Sequence, residues 1–245
     1  MTFSLLAYEP EEGTFYGASA TGNLCVGGWV LRGDSRVGLT ASQGADPSTL
    51  WGEDILKLMI DGYQPEDALN KITQNDMGRE KRQVAVIGNR GVGAVFSGMN
   101  NLPIVDSIVE DNLVLSGNML QSNKVLSKMR EAYFKESKCE LQKLLEVLNA
   151  GASSGGDVRG LMSASILVLN DRKPPISLRV DYSDDPLRDL SKLIEIYLEK
   201  FFGNILCAFS NFIFITFIIF FFASEISEIT FNFFLNLNLI ASFEI

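Results

Sequence analysis

The chain has 245 residues, a formal net charge of −9, three cysteines and no histidine. An acidic balance of that size argues against a surface that grips a phosphate backbone, which excludes nucleic acid as a partner. Without histidine there is no Ser-His-Asp or Cys-His machinery and no histidine-dependent metal site, so any hydrolytic base must be another group.

The runs TFSLLAY and TFYGASA are β-prone and flank the turn chemistry of EPEEG, which predicts an N-terminal hairpin. Residues 30–32 and RVGLTASQ follow as strands, the second ending in the small polar pair Ser42 and Gln43. In LWGEDILKLMIDG, the apolar residues Leu50, Ile55, Leu58 and Met59 keep a helical period that Gly62 closes. PEDALNKIT opens a second helix on Pro65, with acids in the first turn to suit the dipole. RQVAVIG and GVGAVFSG form another hairpin around GNRG. That glycine-rich turn lacks the GK[ST] ending of a phosphate loop. After a looser segment, NLVLSGN is a short strand that carries Gly117 and Asn118 to its end.

Met119 to Asn149 is predicted helical, with a break near Ser137–Lys138. GASSGGDVRG then admits two readings. It is either an anion-binding loop with Arg159 beside its backbone amides, or a plain connection in which Gly151 caps the preceding helix. SASILVLN and ISLRVDYSD are neighbouring strands, and DPLRDLSKLIEIYLEKF is an amphipathic helix. Strand pairs alternate with helix pairs, which makes the class mixed α and β with antiparallel sheets.

Thr2 stands directly behind Met1. Once Met1 is trimmed, Thr2 carries a hydroxyl beside a free α-amine that titrates near about pH 8. Such an amine can take the proton of its own residue's hydroxyl and turn it into a nucleophile. The plain alternative is a β-branched residue that starts an edge strand.

MTFSLLAY at the start, ASQ at 41–43, GREKRQVAV, SGNML and GGDVRGLMSASILV together resemble the family of domain of unknown function 1028. That family is assigned to the N-terminal-nucleophile hydrolase-like superfamily. The resemblance covers roughly residues 1–199 and implies an α+β fold, a four-layer αββα sandwich of two antiparallel sheets. It also implies amide hydrolysis through an acyl-enzyme on Thr2, with Ser4 and Asn118 assisting. Ser4 lies two residues along the strand, on the same face as Thr2. Gln43, Gly117, Asp157 and Arg159 are the candidates to bind a small-molecule or peptide-like substrate, each with a structural hydrogen bond as its alternative role. A non-catalytic small-ligand-binding module on the same fold is the competing function. No motif points to a metal or an organic cofactor, and a homo-oligomer is left open.

From Phe201 the composition changes abruptly, and the remaining stretch holds 13 of the 17 phenylalanines. The sequence thus divides into a domain over 1–199 and a Phe/Ile/Asn-rich tail over 200–245. Residues 205–223 carry no charge over about nineteen positions, enough to span a hydrocarbon core. Two readings compete: a C-terminal membrane anchor, and translated AT-rich non-coding sequence. The second is preferred, because aromatic residues fill the span instead of marking its edges. The scattered cysteines Cys25, Cys139 and Cys207, and a start that runs into Glu9, Glu11 and Glu12 with no basic stretch, fit a cytoplasmic setting.

Overall fold

In the computed structural model, residues 2–156 and 159–200 are described. Contacts divide the chain into one unit, Met1–Ile194, and a second, Glu195–Ile245, of which the described part is helical. Asp157 and the tail from Phe201 onward, with both readings of that tail, lie outside the described residues.

The first unit is built on a strand buried on both faces. In β1 (Thr2–Glu9) every residue through Ala7 is buried, although Thr2 and Ser4 are polar. Strands alternate their side chains, so Thr2, Ser4 and Leu6 share one face while Phe3, Leu5 and Ala7 share the other. The expected hairpin forms: β1 pairs antiparallel with β2 (Thr14–Thr21), with Thr2 opposite Thr21 and Glu9 opposite Thr14. The other side of β1 pairs with β8 (Leu113–Asn118), which sets Thr2 opposite Asn118. With β7 (Asp106–Glu110), β9 (Ser163–Leu169) and β10 (Ile176–Val180) the first sheet is β10-β9-β2-β1-β8-β7. The second is β3-β4-β5-β6, from Leu31–Asp34, Gly38–Gly44, Arg82–Gly88 and Gly93–Ser97. All pairings are antiparallel.

The sheets pack face to face over Leu6 and Phe15 of the first and Leu31, Leu39, Ala41, Ala85 and Ile87 of the second. Each such side chain contributes roughly 1.5–3 kcal/mol when fully buried. Helices cover both outer faces. Trp51, Ile55 and Met59 of α2 (Thr49–Ile60), with Ala68 and Leu69 of α3 (Pro65–Thr73), pack on Val84 and Val86 of β5. Against the first sheet lie α4 (Val125–Tyr133) and α5 (Glu140–Ser153). The result is the αββα layering that the resemblance implies.

Four local details differ from the sequence reading. A four-residue helix, α1 (Val26–Trp29), follows β2. The looser segment before NLVLSGN contains β7, a half-exposed edge strand. The predicted helix over 119–149 starts only at Val125, although its break falls at residues 134–139 as expected. Gly151 does not cap α5. It lies inside the helix, where a Cβ would stand 3.0 Å from Met129 Cγ and Sδ and from Phe3 Cε2, and Ser154 takes the C-cap. Glycine there lets α5 approach β1 closely.

Candidate active site

The strand registers bring polar residues into rows at one end of the inter-sheet layer. One row runs Asn118, Thr2, Thr21, Ser163 across β8, β1, β2 and β9. The next runs Ser116, Ser4, Ser19, Ser165, and only beyond it does the layer become apolar at Leu6 and Val114. The facing sheet contributes Gln43 and Gln83, which are paired across β4 and β5 and are both buried.

These groups form a connected network. The Thr2 backbone N–H donates to Asn118 Oδ1 at 2.9 Å, and the Thr2 hydroxyl donates to Thr21 Oγ1 at 3.1 Å. Because the atom that receives the N–H must be the amide oxygen, Asn118 Nδ2 is left as a buried donor with no hydrogen-bond partner among the described residues. Ser4 Oγ stands 2.9 Å from Ser19 Oγ and donates to Gln43 Oε1 at 2.6 Å. Gln43 Nε2 donates to Gln83 Oε1 at 2.7 Å and to the Thr2 carbonyl at 3.3 Å. Gln83 Nε2 in turn reaches Ser97 Oγ, the Asp106 carbonyl and the Gly117 carbonyl at 2.8, 3.1 and 3.2 Å. The two glutamines thus hold the backbone of both strands that carry Thr2 and Asn118.

Above this floor opens a cleft of about 510 Å³, within the usual range for small-molecule sites. Its lining includes the polar residues Thr2, Thr21, Asn23 and Gln43, the apolar residues Leu24, Val26, Trp29, Val30, Pro47 and Met119, and Arg159. Ser163 fixes one wall, since its hydroxyl donates to the Asn23 carbonyl at 2.7 Å and accepts from the Val26 N–H at 3.0 Å. Met119 holds a positive φ of 54°, and its N–H donates to the Asn101 carbonyl. A bulky residue in that region is strained, a condition found at sites whose surroundings over-determine them.

The structure brings Thr2, Gln43 and Arg159 to the cleft; Asn118 bonds the Thr2 nitrogen directly, whereas Ser4 bonds Gln43, which in turn reaches the Thr2 carbonyl. Gly117 is placed differently. A side chain there would run into Leu120, and its carbonyl is engaged by Gln83. Sequence reasoning missed Thr21, Trp29, Met119 and Gln83. Thr21 carried a signal, since TFYGASAT alternates and the hairpin sets its end opposite Thr2. Gln83 carried none, because its role depends on how the two sheets stack.

Among the described lining residues, Arg159 is the one with an ionisable side chain at neutral pH. The cleft therefore has no carboxylate or other side-chain base of its own among them. No group of three or more His, Cys, Asp or Glu that could hold a metal occurs among the described residues, and no helix there is long and apolar enough to cross a membrane.

A two-sheet αββα sandwich with a threonine heading a central strand is the class that fold and site define. The model of a family of unknown function, DUF1028, matches residues 2–190, and the chain belongs to that family. It is similar to the crystal structure of protein SPO2555 from Silicibacter pomeroyi, at 46% identity and a TM-score of 0.75 over 79% of this chain and 84% of that one. No curated protein matches it.

Proposed function

We propose that the protein is an amidohydrolase of the N-terminal-nucleophile type, acting on a small amide or peptide-like substrate through an acyl-enzyme on Thr2. The observation that carries this reading is the placement of Thr2 in the floor of the cleft with its nitrogen held by Asn118 Oδ1. No side-chain base borders the cleft among the described residues, so a free Thr2 amine is the natural proton acceptor.

The steps follow from these positions. After removal of the residue in front of Thr2, the Thr2 hydroxyl attacks the substrate carbonyl carbon and its proton passes to the α-amine. The carbonyl oxygen becomes an oxyanion, for which Asn118 Nδ2 supplies an unused donor. Collapse breaks the C–N bond, and the leaving amine takes the proton from the α-ammonium. Water, deprotonated by the same amine, then hydrolyses the ester and frees the acid and Thr2. Thr21 Oγ1 and Gln43 act as positioning groups, one on the nucleophilic hydroxyl and one on the Thr2 carbonyl.

Intact-mass measurement before and after treatment with an acylating β-lactone tests this reading. A mature chain that begins at Thr2 and gains one acyl group, absent in Thr2→Ala, is expected. A chain that keeps a residue before Thr2, or a Thr2→Ala variant labelled as fast as the parent, overturns it.

A further inference from the structure

Trp29 is 57% exposed and Leu24 48% exposed, although both are large and apolar and both line the cleft that holds Thr2. The backbone beneath Trp29 is nevertheless fixed from several sides. The Cys25 N–H donates to the Asp181 carbonyl at 2.9 Å, the Val26 N–H to Ser163 Oγ at 3.0 Å, and Arg32 Nη2 to the Gly28 carbonyl at 2.6 Å. Just past the helix, the Ser42 N–H donates to the Val30 carbonyl at 3.0 Å. Gly27 permits this seat, because a Cβ there would stand 2.7 Å from Ser165 Cβ and 2.8 Å from Arg179 Cγ. The short helix α1 is thereby tied to β3, β4, β9 and the end of β10. An exposed indole on so firmly held a backbone is a pre-organised platform, and a ligand that covers it spends little on ordering the chain.

Topology also sets hydrocarbon on both sides of the nucleophile. β2 and β8 flank β1, so the chain leaving β2 carries Leu24 and Trp29 past one side of Thr2 and the chain leaving β8 carries Met119 past the other. Pro47, which follows β4 of the facing sheet, lines the same cleft. A small polar amide seated over Thr2 would leave this apolar wall in water. An amide with a ring or a bulky hydrocarbon group beside its scissile bond would cover it.

We infer that Trp29 is the specificity-determining residue of the site, and that its substrates are amides bearing an aromatic or bulky apolar group next to the scissile bond, seated on Trp29 and Leu24. The inference rests on the hydrolase reading for turnover but not for binding, and the two separate experimentally.

Binding to the full chain is measured by saturation-transfer NMR with 3-phenylpropanamide, N-benzylacetamide and acetamide, which are uncharged and so keep Arg159 out of the comparison. At least one aromatic amide is expected to bind about tenfold or more tightly than acetamide. Trp29→Ala should bring that preference within about twofold of unity, and Trp29→Phe, which keeps a ring, should retain most of it. The melting temperature should hardly move, because the ring is exposed. If Trp29→Ala does lower it, Trp29→Gln supplies the comparison. Acylation of Thr2 is then followed by intact mass with an α-benzyl β-lactone and its α-methyl analogue. Trp29→Ala should raise the half-saturating concentration of the benzyl lactone about tenfold while its limiting rate and the methyl lactone stay unchanged. Equal affinity for the three amides, or an aromatic preference that survives Trp29→Ala, overturns the inference. An aromatic preference without acylation of Thr2 supports it while counting against the hydrolase reading. Acylation by both lactones with equal efficiency, unaltered in Trp29→Ala, leaves the hydrolase standing and removes the inference.

Discussion

Replacing Gln83 by leucine tests whether the glutamine pair joins the two sheets beneath the site. Gln83 is 0% exposed, so nothing from solvent can stand in for its amide. Its loss leaves Gln43 Nε2 with the long 3.3 Å contact to the Thr2 carbonyl, and strips a donor from Ser97 Oγ and the Gly117 carbonyl. A buried polar group without its partner costs about 1–3 kcal/mol, and Gln43 and Gly117 are the two that lie deepest. The added apolar burial of leucine offsets about 1 kcal/mol. The net expectation is a loss of about 1–5 kcal/mol, or about 2–20 °C in melting temperature for a chain of this size. Urea denaturation read by circular dichroism measures it. Changing Gln43 and Gln83 to leucine together should cost less than the sum of the two single changes, because both partners then leave at once. A Gln83→Leu loss below about 0.5 kcal/mol, the range of an ordinary surface change, would refute the argument.

Three further outcomes are expected. The rate of Thr2 acylation should rise with pH through the α-amine's range, near about pH 8, and a pH-independent rate would point to another base. Gly44→Ala should destabilise the protein by about 1–3 kcal/mol and weaken ligand binding. Gly44 has a φ of +142°, and a Cβ there would meet the Lys81 carbonyl and stand 2.8 Å from Arg82 Cα; unchanged stability in urea would contradict this. Burial, with the negative charge of Glu140 next in weight, pushes the phenols of Tyr16 and Tyr133 up to about 12. Their folded values exceed the usual 10, so the folded state holds more protons in that interval, and the stability they lend is complete below pH 10 and lost as pH rises towards 12. Phenolate absorbance followed in native and urea-unfolded protein measures the displacement.

The parts of the fold visible in the chain were those set by local chemistry. Pro65 with two acids behind it fixes the start of α3, and alternation around EPEEG and GNRG fixes two hairpins. The edge strand β7 was hidden because its one β-prone pair, Ile108 and Val109, is flanked by Asp106, Ser107 and Glu110, and the strand takes its place by pairing with β8. In the site, Thr2, Ser4 and Asn118 could be found from strand ends and period-two spacing. Gln83 and Met119 could not, since one acts across the sheet stack and the other through an unusual backbone angle. The placement of Gly151 likewise depends on a helix meeting β1, which no local pattern encodes.

The hydroxyl rows also bear on how β1 finds its place. Because β1 is buried on both sides, its apolar residues would be nearly as content one position out of step, with Phe3 and Leu5 exchanged for Leu6. Such a slip would turn Thr2 and Ser4 towards the helices, away from Thr21, Ser19 and Gln43, and would strand their hydroxyls among hydrocarbon. The same polar groups that could serve chemistry therefore act as a key that admits one alignment of the central strand. Variants that make this end of the layer apolar should consequently lose uniqueness of strand alignment before they lose compactness.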